Sequence, residues 1–426
     1  MSVLFCRSLS PFFSRLPAAP PSLSMERLQR IGNHVPAQRS TRLFASSVAA
    51  AFGGASSSPE EAAIHSGELQ IDHFKANGLV KLTLNRPKGL NALTTDQVTC
   101  LCEYLPILDA SPECSAVLVV GAGEKAFCAG GDIKTLSQGT AAEVSNFFSK
   151  EYLMDLRTSE MKKPYACVWN GIVMGGGVGI SNHGRFRIAT EKTMWAMPET
   201  GIGLFPDVGA SFLLPRLPRH VGMYLGLTGA RLSGSDVLRL GLATHFVPSS
   251  QIGQMIEVLQ TENGMEMEKV LQRFAVKSFQ EAEAISPRSL SDETIKDIDQ
   301  ILAGHGDLKA MMKAMRTAGE TSEFWKKTVA TIEKKCPTSC GIVFRQIAEG
   351  KQKSLAECLK MEFKIATACA AYSPHNFREG VRVTLVDKGD TPKWDPASIE
   401  ELTDEHIDKY FACPDGEPLE SFVSLS

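Results

Sequence analysis

No run of apolar residues in this 426-residue chain approaches the roughly 20 needed to carry a helix across a bilayer, so no membrane partner is expected. Cysteine is present 11 times, at positions 6, 100, 102, 114, 128, 167, 336, 340, 358, 369 and 413, but never as a C-x-x-C pair. That removes the usual zinc and dithiol frameworks, and the odd number argues against a closed disulfide set; reduced thiols in a matrix-like compartment are expected. Cys128 sits in a Gly-rich turn with no histidine motif beside it and reads as a small packed residue. There is no Gly-Lys-Ser/Thr for a P-loop, and Gly121-Ala122-Gly123 lacks the third glycine of a dinucleotide fingerprint. No G-x-S-x-G elbow accompanies His183 or His245, which sets aside a Ser-His-Asp hydrolase and leaves both histidines structural.

Lysine is absent from residues 1–58, which hold six arginines, twelve serines and a single acid, Glu26. Rich in Arg and Ser and poor in acids, this segment has the composition of an organelle transit peptide and predicts import into the mitochondrial matrix. The C-terminal Ser424-Leu425-Ser426 is not the S-K-L of a peroxisomal protein. Removing residues 1–58 takes the formal charge from -3 to -8, so direct nucleic-acid binding is not expected.

Beyond the Ser-rich stretch, Leu79-Val80-Lys81-Leu82-Thr83-Leu84 alternates as a half-buried strand does and runs into the turn Asn85-Arg86-Pro87-Lys88-Gly89. A helical pattern covers 94–108. Strands are predicted at 116–120, 166–169 and 187–190, separated by helices or Gly-rich turns. That alternation indicates an α/β core with parallel character. After Pro248 the pattern turns helical, at 266–284, 323–335 and 355–371. The organisation read from this is a core over 65–255 followed by a mainly helical region over 256–426.

Two Gly-rich turns carry the chemistry. In Ala126-Phe127-Cys128-Ala129-Gly130-Gly131-Asp132-Ile133-Lys134, Asp132 is a natural helix cap, which leaves the Gly131 amide free to point outward. The second turn, 174–179, opens a helix whose first amides and dipole favour an anionic oxygen. Two such amides aimed at one point make an oxyanion hole, whose donors typically contribute about 3 kcal/mol each to a transition state. Taken alone, either glycine cluster reads more simply as close backbone packing. Glu199 lies among Trp195, Ala196, Met197, Pro198, Ile202, Leu204 and Phe205, and Asp207 follows eight residues later. Desolvation there raises a carboxyl pKa and poises it for acid-base work, although either residue singly reads as a helix cap after proline. Tryptophans 169, 195 and 394 read as packing residues, with Trp195 the one placed to line a pocket.

These segments, together with Asn85-Arg86-Pro87-Lys88-Gly89-Leu90-Asn91-Ala92-Leu93 near the start and residues 373–394 near the end, resemble the crotonase (enoyl-CoA hydratase/isomerase) superfamily from about Leu69 to Phe411. The resemblance implies a spiral of ββα units with a helical C-terminal region, binding an acyl-CoA whose coenzyme A belongs to the substrate, with no separate cofactor and no metal. It places the oxyanion amides at Gly131 and Gly176. Of the two glutamates used by hydratases, the first falls on Gly179, which disfavours hydration. Acids at Glu199, Asp207 and Glu151, the last in Lys150-Glu151-Tyr152-Leu153, match instead the members that hydrolyse the thioester of 3-hydroxyisobutyryl-CoA, an intermediate of valine breakdown. Glu199 is then the nucleophile or the general base, with Asp207 and Glu151 orienting it, the water or the 3-hydroxyl. Lys88 is placed to meet a CoA phosphate as a point charge. Two alternatives stay open: an enoyl-CoA hydratase or isomerase, and a structural component of the mitochondrial ribosome derived from the hydrolase. Homo-oligomerisation also stays open, since crotonases often form trimers whereas a C-terminal region of this kind can cover the same surface within one chain.

Overall fold

The computed structural model describes residues 64–65, 67–262, 266–372 and 375–412. The expected transit peptide, Ser373 and the last three residues lie outside them. Ala63–Ser426 is one compact unit, so the stretches 65–255 and 256–426 fold together.

Strands β1 (Ile64–His65), β2 (Leu69–Phe74) and β3 (Leu79–Leu84) form an antiparallel start. Strands β4 (Ala116–Gly121), β5 (Ala126–Cys128), β6 (Tyr165–Trp169), β7 (Ile172–Met174), β8 (Phe186–Ala189), β9 (Met194–Ala196) and β10 (His245–Phe246) follow. The larger sheet runs β1-β2-β3-β4-β6-β8-β10, parallel from β3 onward, and the smaller is β5-β7-β9. From β4 on, each pair therefore gives one strand to each sheet. Helices α1 (Thr95–Ala110), α2 (Ala141–Glu160) and α3 (Gly176–Asn182) follow the first three pairs, which completes the ββα spiral. Thr94 with Gln97, and Thr140 with Glu143, close capping boxes that fix where α1 and α2 begin.

Both faces of the larger sheet are covered, so its central strands are apolar throughout; every residue of β6 is buried. One face, carrying Leu79, Leu118, Val168 and Ile188, packs on Ile252, Met255, Leu259 and Leu271 of the helices Ser249–Thr261 and Met267–Phe274. The region expected as one helix over 266–284 is two, Met267–Phe274 and Phe279–Ile285, because Ala275 turns extended and Ser278 caps a new start through the Glu281 amide. Further on come α4 (Pro337–Gly350), α5 (Leu355–Thr367) and α6 (His375–Val381). Helix α5 lies along α2.

Asn91 ties this frame to the Gly130-Gly131 turn. It is fully buried, and both it and Leu90 hold positive φ, 57° and 55°. Its amide nitrogen donates to the carbonyls of Ala122 and Ala126, each at 2.9 Å, while its oxygen accepts the Arg86 N–H at 2.9 Å. The loop so held gives the Leu90 carbonyl to the Ala129 N–H and takes the Gly130 carbonyl on the Leu93 N–H. Asn91→Ala strands two carbonyls and one N–H, and a loss of about 2–4 kcal/mol is expected in denaturant titration.

Candidate active site

Gly175 has φ 47° and ψ -124°, a conformation that only glycine adopts readily, and it turns β7 into α3. Gly176 is the first residue of that helix, so its N–H has no carbonyl one turn back within the helix. Across from it, Leu93 pairs with the turn through the Gly130 carbonyl and the Asp132 N–H. A parallel bridge of that form leaves the Gly131 N–H facing the other way, into the cavity that Gly131 lines. The two turns touch: a side chain on Gly130 would stand 3.6 Å from the Gly176 nitrogen. Asp132, expected as a cap, accepts the Thr135 N–H, and its other oxygen takes Arg86 Nη2 at 3.0 Å.

Over these amides lies a cavity of about 540 Å³, within the range of small-ligand sites. Its walls include Phe147, Phe148 and Glu151 of α2, together with Glu199 and Asp207. The C-terminal region supplies Thr331, Lys334, Lys335, Val383, Thr384, Pro392 and Trp394. Trp394 is thus a lining residue rather than only a packing one, and donates Nε1 to the Lys334 carbonyl at 3.3 Å. Trp195 is fully buried and not among the lining residues, as the packing reading expects and against its alternative place in a pocket wall.

The structure brings Glu151, Glu199 and Asp207 together, each at most 6 % exposed. No hydrogen bond to Oε1 of Glu151 or Oε2 of Glu199 is present. Removal from water, and then the neighbouring Asp207, push both carboxyls well above the ordinary range. Asp207 is raised by burial from 3.8 to about 6, opposed by the hydroxyl of Tyr152, which donates to Oδ2 at 2.6 Å. The glycines are matched to these acids. A Cβ on Gly176 would overlap Glu151 Oε1, and one on Gly175 would stand 3.3 Å from Glu199 Oε1.

Asp207 rides on a strained turn. Val208 has φ 53°, an outlier for a β-branched residue, and Gly209 has φ 86°. His183 donates Nε2–H to the Val208 carbonyl at 2.8 Å, and burial lowers its pKa to about 4, so it serves as a neutral strut. From α5, the Glu362 carboxyl accepts the N–H of Gly209 at 2.6 Å, the N–H of Ser211 at 2.7 Å and the Ser211 hydroxyl at 2.5 Å. Cys128 is fully buried with its thiol pushed up to about 12, as expected of a packing residue.

Lys88 is exposed on the turn Pro87–Gly89 and is not part of the cavity wall. Tyr152, Asp155, Lys335 and Glu362 escaped the sequence reading. Tyr152 was visible beside Glu151; the others are brought in by tertiary contacts with no local signal.

Several known proteins are similar to this chain. The family model described as "Enoyl-CoA hydratase/isomerase" matches residues 79–411. The Danio rerio protein named "3-hydroxyisobutyryl-CoA hydrolase, mitochondrial" is 42% identical over 340 residues, covering 78% of this chain and 87% of its own. The Homo sapiens protein of the same name is 40% identical over 350 residues, covering 81% and 88%. Among solved structures, a carnitinyl-CoA dehydratase from Mycobacterium thermoresistibile superposes with a TM-score of 0.74 at 32% identity, over 82% of this chain and 98% of that one.

Burying Asp207 has a thermodynamic signature. Its folded pKa lies above the unfolded one, so the folded state holds the proton more tightly, and stability falls as pH rises from about 4 to about 6. Asp207→Asn is expected to be more stable than the native chain at neutral pH by about 1–3 kcal/mol, with the gain gone below about pH 4. Denaturant titrations at the two pH values check this.

Proposed function

The chain belongs to the enoyl-CoA hydratase/isomerase family, and from that premise we propose that it hydrolyses the thioester of 3-hydroxyisobutyryl-CoA to the free acid and CoA, a step of valine breakdown and the activity its relatives are named for. One observation carries the choice of hydrolysis over hydration. Position 179, where the family resemblance puts the first glutamate of a hydratase, is a glycine against which Asp155 Oδ1, Asp155 Oδ2 and Val208 Cβ all crowd to 2.8 Å of any added Cβ. No side chain fits there, so a second carboxylate cannot reach the substrate from α3, and Glu199 works without that partner.

In this reading the thioester oxygen lies between the N–H groups of Gly131 and Gly176, which take up the negative charge as the carbonyl carbon becomes tetrahedral. Glu199 acts in one of two ways. As a base it removes a proton from water, whose oxygen bonds to the carbonyl carbon. As a nucleophile it attacks that carbon itself, and water then opens the acyl-glutamate anhydride. In both, the carbon–sulfur bond breaks, the electron pair leaves on sulfur, and a proton passes to the thiolate. Asp207, held by Tyr152, and Glu151 orient the water or the 3-hydroxyl. Lys88, outside the cavity, meets a CoA phosphate as a point charge. No cofactor is called on beyond the CoA of the substrate. The site is placed in the mitochondrial matrix, delivered there by residues 1–58, in keeping with relatives named mitochondrial. A ribosomal component that had given up catalysis would have no reason to keep desolvated acids over an open pair of amides.

Thiol release from 3-hydroxyisobutyryl-CoA, with crotonyl-CoA hydration followed in parallel, tests the reading. Fast thiol release and negligible hydration are expected; hydration without thiol release would overturn it. Glu199→Gln should lower kcat by about 10²–10⁴-fold while changing KM little. A single turnover in water labelled with heavy oxygen separates the two routes: direct attack labels the released acid, whereas an anhydride opened at the glutamyl carbon labels Glu199.

A further inference from the structure

Among the residues lining the cavity, Lys334 and Lys335 are the basic ones, and they stand in different surroundings. Lys334 is exposed, while Lys335 is partly buried. The backbone joins Lys335 to the segment that carries Glu199, because the Cys336 N–H donates to the Thr200 carbonyl at 3.0 Å. The ammonium lies over that segment, with Lys335 Nζ 3.4 Å from where a Cβ on Gly201 would stand, and both Gly201 and Glu199 line the cavity. A longer residue at 201 would therefore push the lysine off its place. No ion pair of Lys335 within 4.0 Å is present among the described residues, and a partly buried ammonium without one is unfavourable unless it serves a charge in the cavity.

Glu199 lines the same cavity, and Lys335 favours its charged form, after a backbone hydrogen bond that does the same. Around Glu199 the other titratable groups come from three elements: Glu151, Tyr152 and Asp155 on α2, Asp207 on the turn after it, and Glu362 on α5. His183 behind that turn is held neutral, and the buried thiol of Cys340 also acts on Lys335. All the acids disfavour a charge on Glu199, either directly or by favouring protons in the cluster. Lys335 opposes them. We propose that Lys335 is the positioning cation of the active site, holding Glu199 as a carboxylate so that it can attack or activate water. The inference rests on the hydrolytic reading above. Burial lowers the lysine's own pKa, and Cys340 and then Glu199 oppose that, the last being the reciprocal half of the same interaction.

The test compares the native protein with Lys335→Met, which keeps length and removes charge, and Lys335→Arg, which keeps charge; melting curves establish that each is folded. The pH profile of kcat/KM for thiol release is recorded for all three. In addition, the carboxyl carbons of glutamate-labelled protein are titrated by NMR, with Glu199→Gln identifying the signal. In Lys335→Met the acid limb and the Glu199 titration should both move up by on the order of one pH unit, a roughly tenfold loss of rate below the limb, and Lys335→Arg should restore both. Should Lys335→Met be slow with its acid limb and Glu199 titration unmoved, the lysine only packs and the proposal fails. If the native protein releases no thiol but the Glu199 titration still moves in Lys335→Met, the hydrolytic reading fails while the coupling stands.

Discussion

Glu362 receives two backbone amides and a hydroxyl inside the protein, and through them it holds a turn that its own sequence does not favour. Val208 sits at positive φ, a cost of order 1–3 kcal/mol, between an acid that must face the cavity and a glycine that must not carry a side chain. A Cβ on Gly209 would come within 2.5 Å of the His183 ring, so the strut below the turn depends on that glycine too. Without Glu362 above and His183 below, the turn would relax and carry Asp207 out of reach of Tyr152. Helix α5 is thus part of the site although none of its side chains lines the cavity.

The same junction explains why the acids are strained in charge as well as shape. Glu151 and Asp155 are one helical turn apart on α2 and point the same way, toward Gly176 and Gly179 respectively. Neither oxygen of Asp155 has a hydrogen-bond partner in the structure, and burial followed by Glu151 raises its pKa well above the ordinary range. Burial there favours the neutral acid, and the Asp155 carboxyl fills the volume that an added side chain at 179 would need. The cluster therefore excludes a competing acid from position 179, and it disfavours charge on Glu199, which Lys335 opposes.

Much of the fold was legible because β4 and β6 are apolar runs and β3 alternates, each followed by a turn that holds glycine. β3, β4, β6 and β8 fall within about a residue or two of where pattern placed them. The smaller sheet was not legible, since β5, β7 and β9 are three residues each, too short for a period of two to register. At the site, Gly131, Gly176, Glu199, Asp207 and Glu151 all line one cavity; the glycine runs and the acids among apolar residues are local signals, whereas Glu151 came only from the family resemblance. Lys335, Glu362 and Trp394 lie far along the chain, where a lysine, a helical glutamate and a tryptophan look like any others. Only the packing of the C-terminal helices onto α2 gives them a role.

That packing also decides how the chemistry divides between the two parts of the chain. The spiral of strands carries the two glycine turns whose amides the proposed mechanism uses on the carbonyl oxygen. The C-terminal region supplies what is particular: a cation near Glu199, an aromatic and aliphatic wall, and the carboxyl that fixes the Asp207 turn. Closing the cavity from within the same chain also means that water enters only where the wall allows. In a thioester hydrolase water is a reactant as well as a solvent, so the wall must admit it at Glu199 while still excluding enough to keep the amides effective. The C-terminal region, which lines the same cavity as Glu199, takes part in setting that balance.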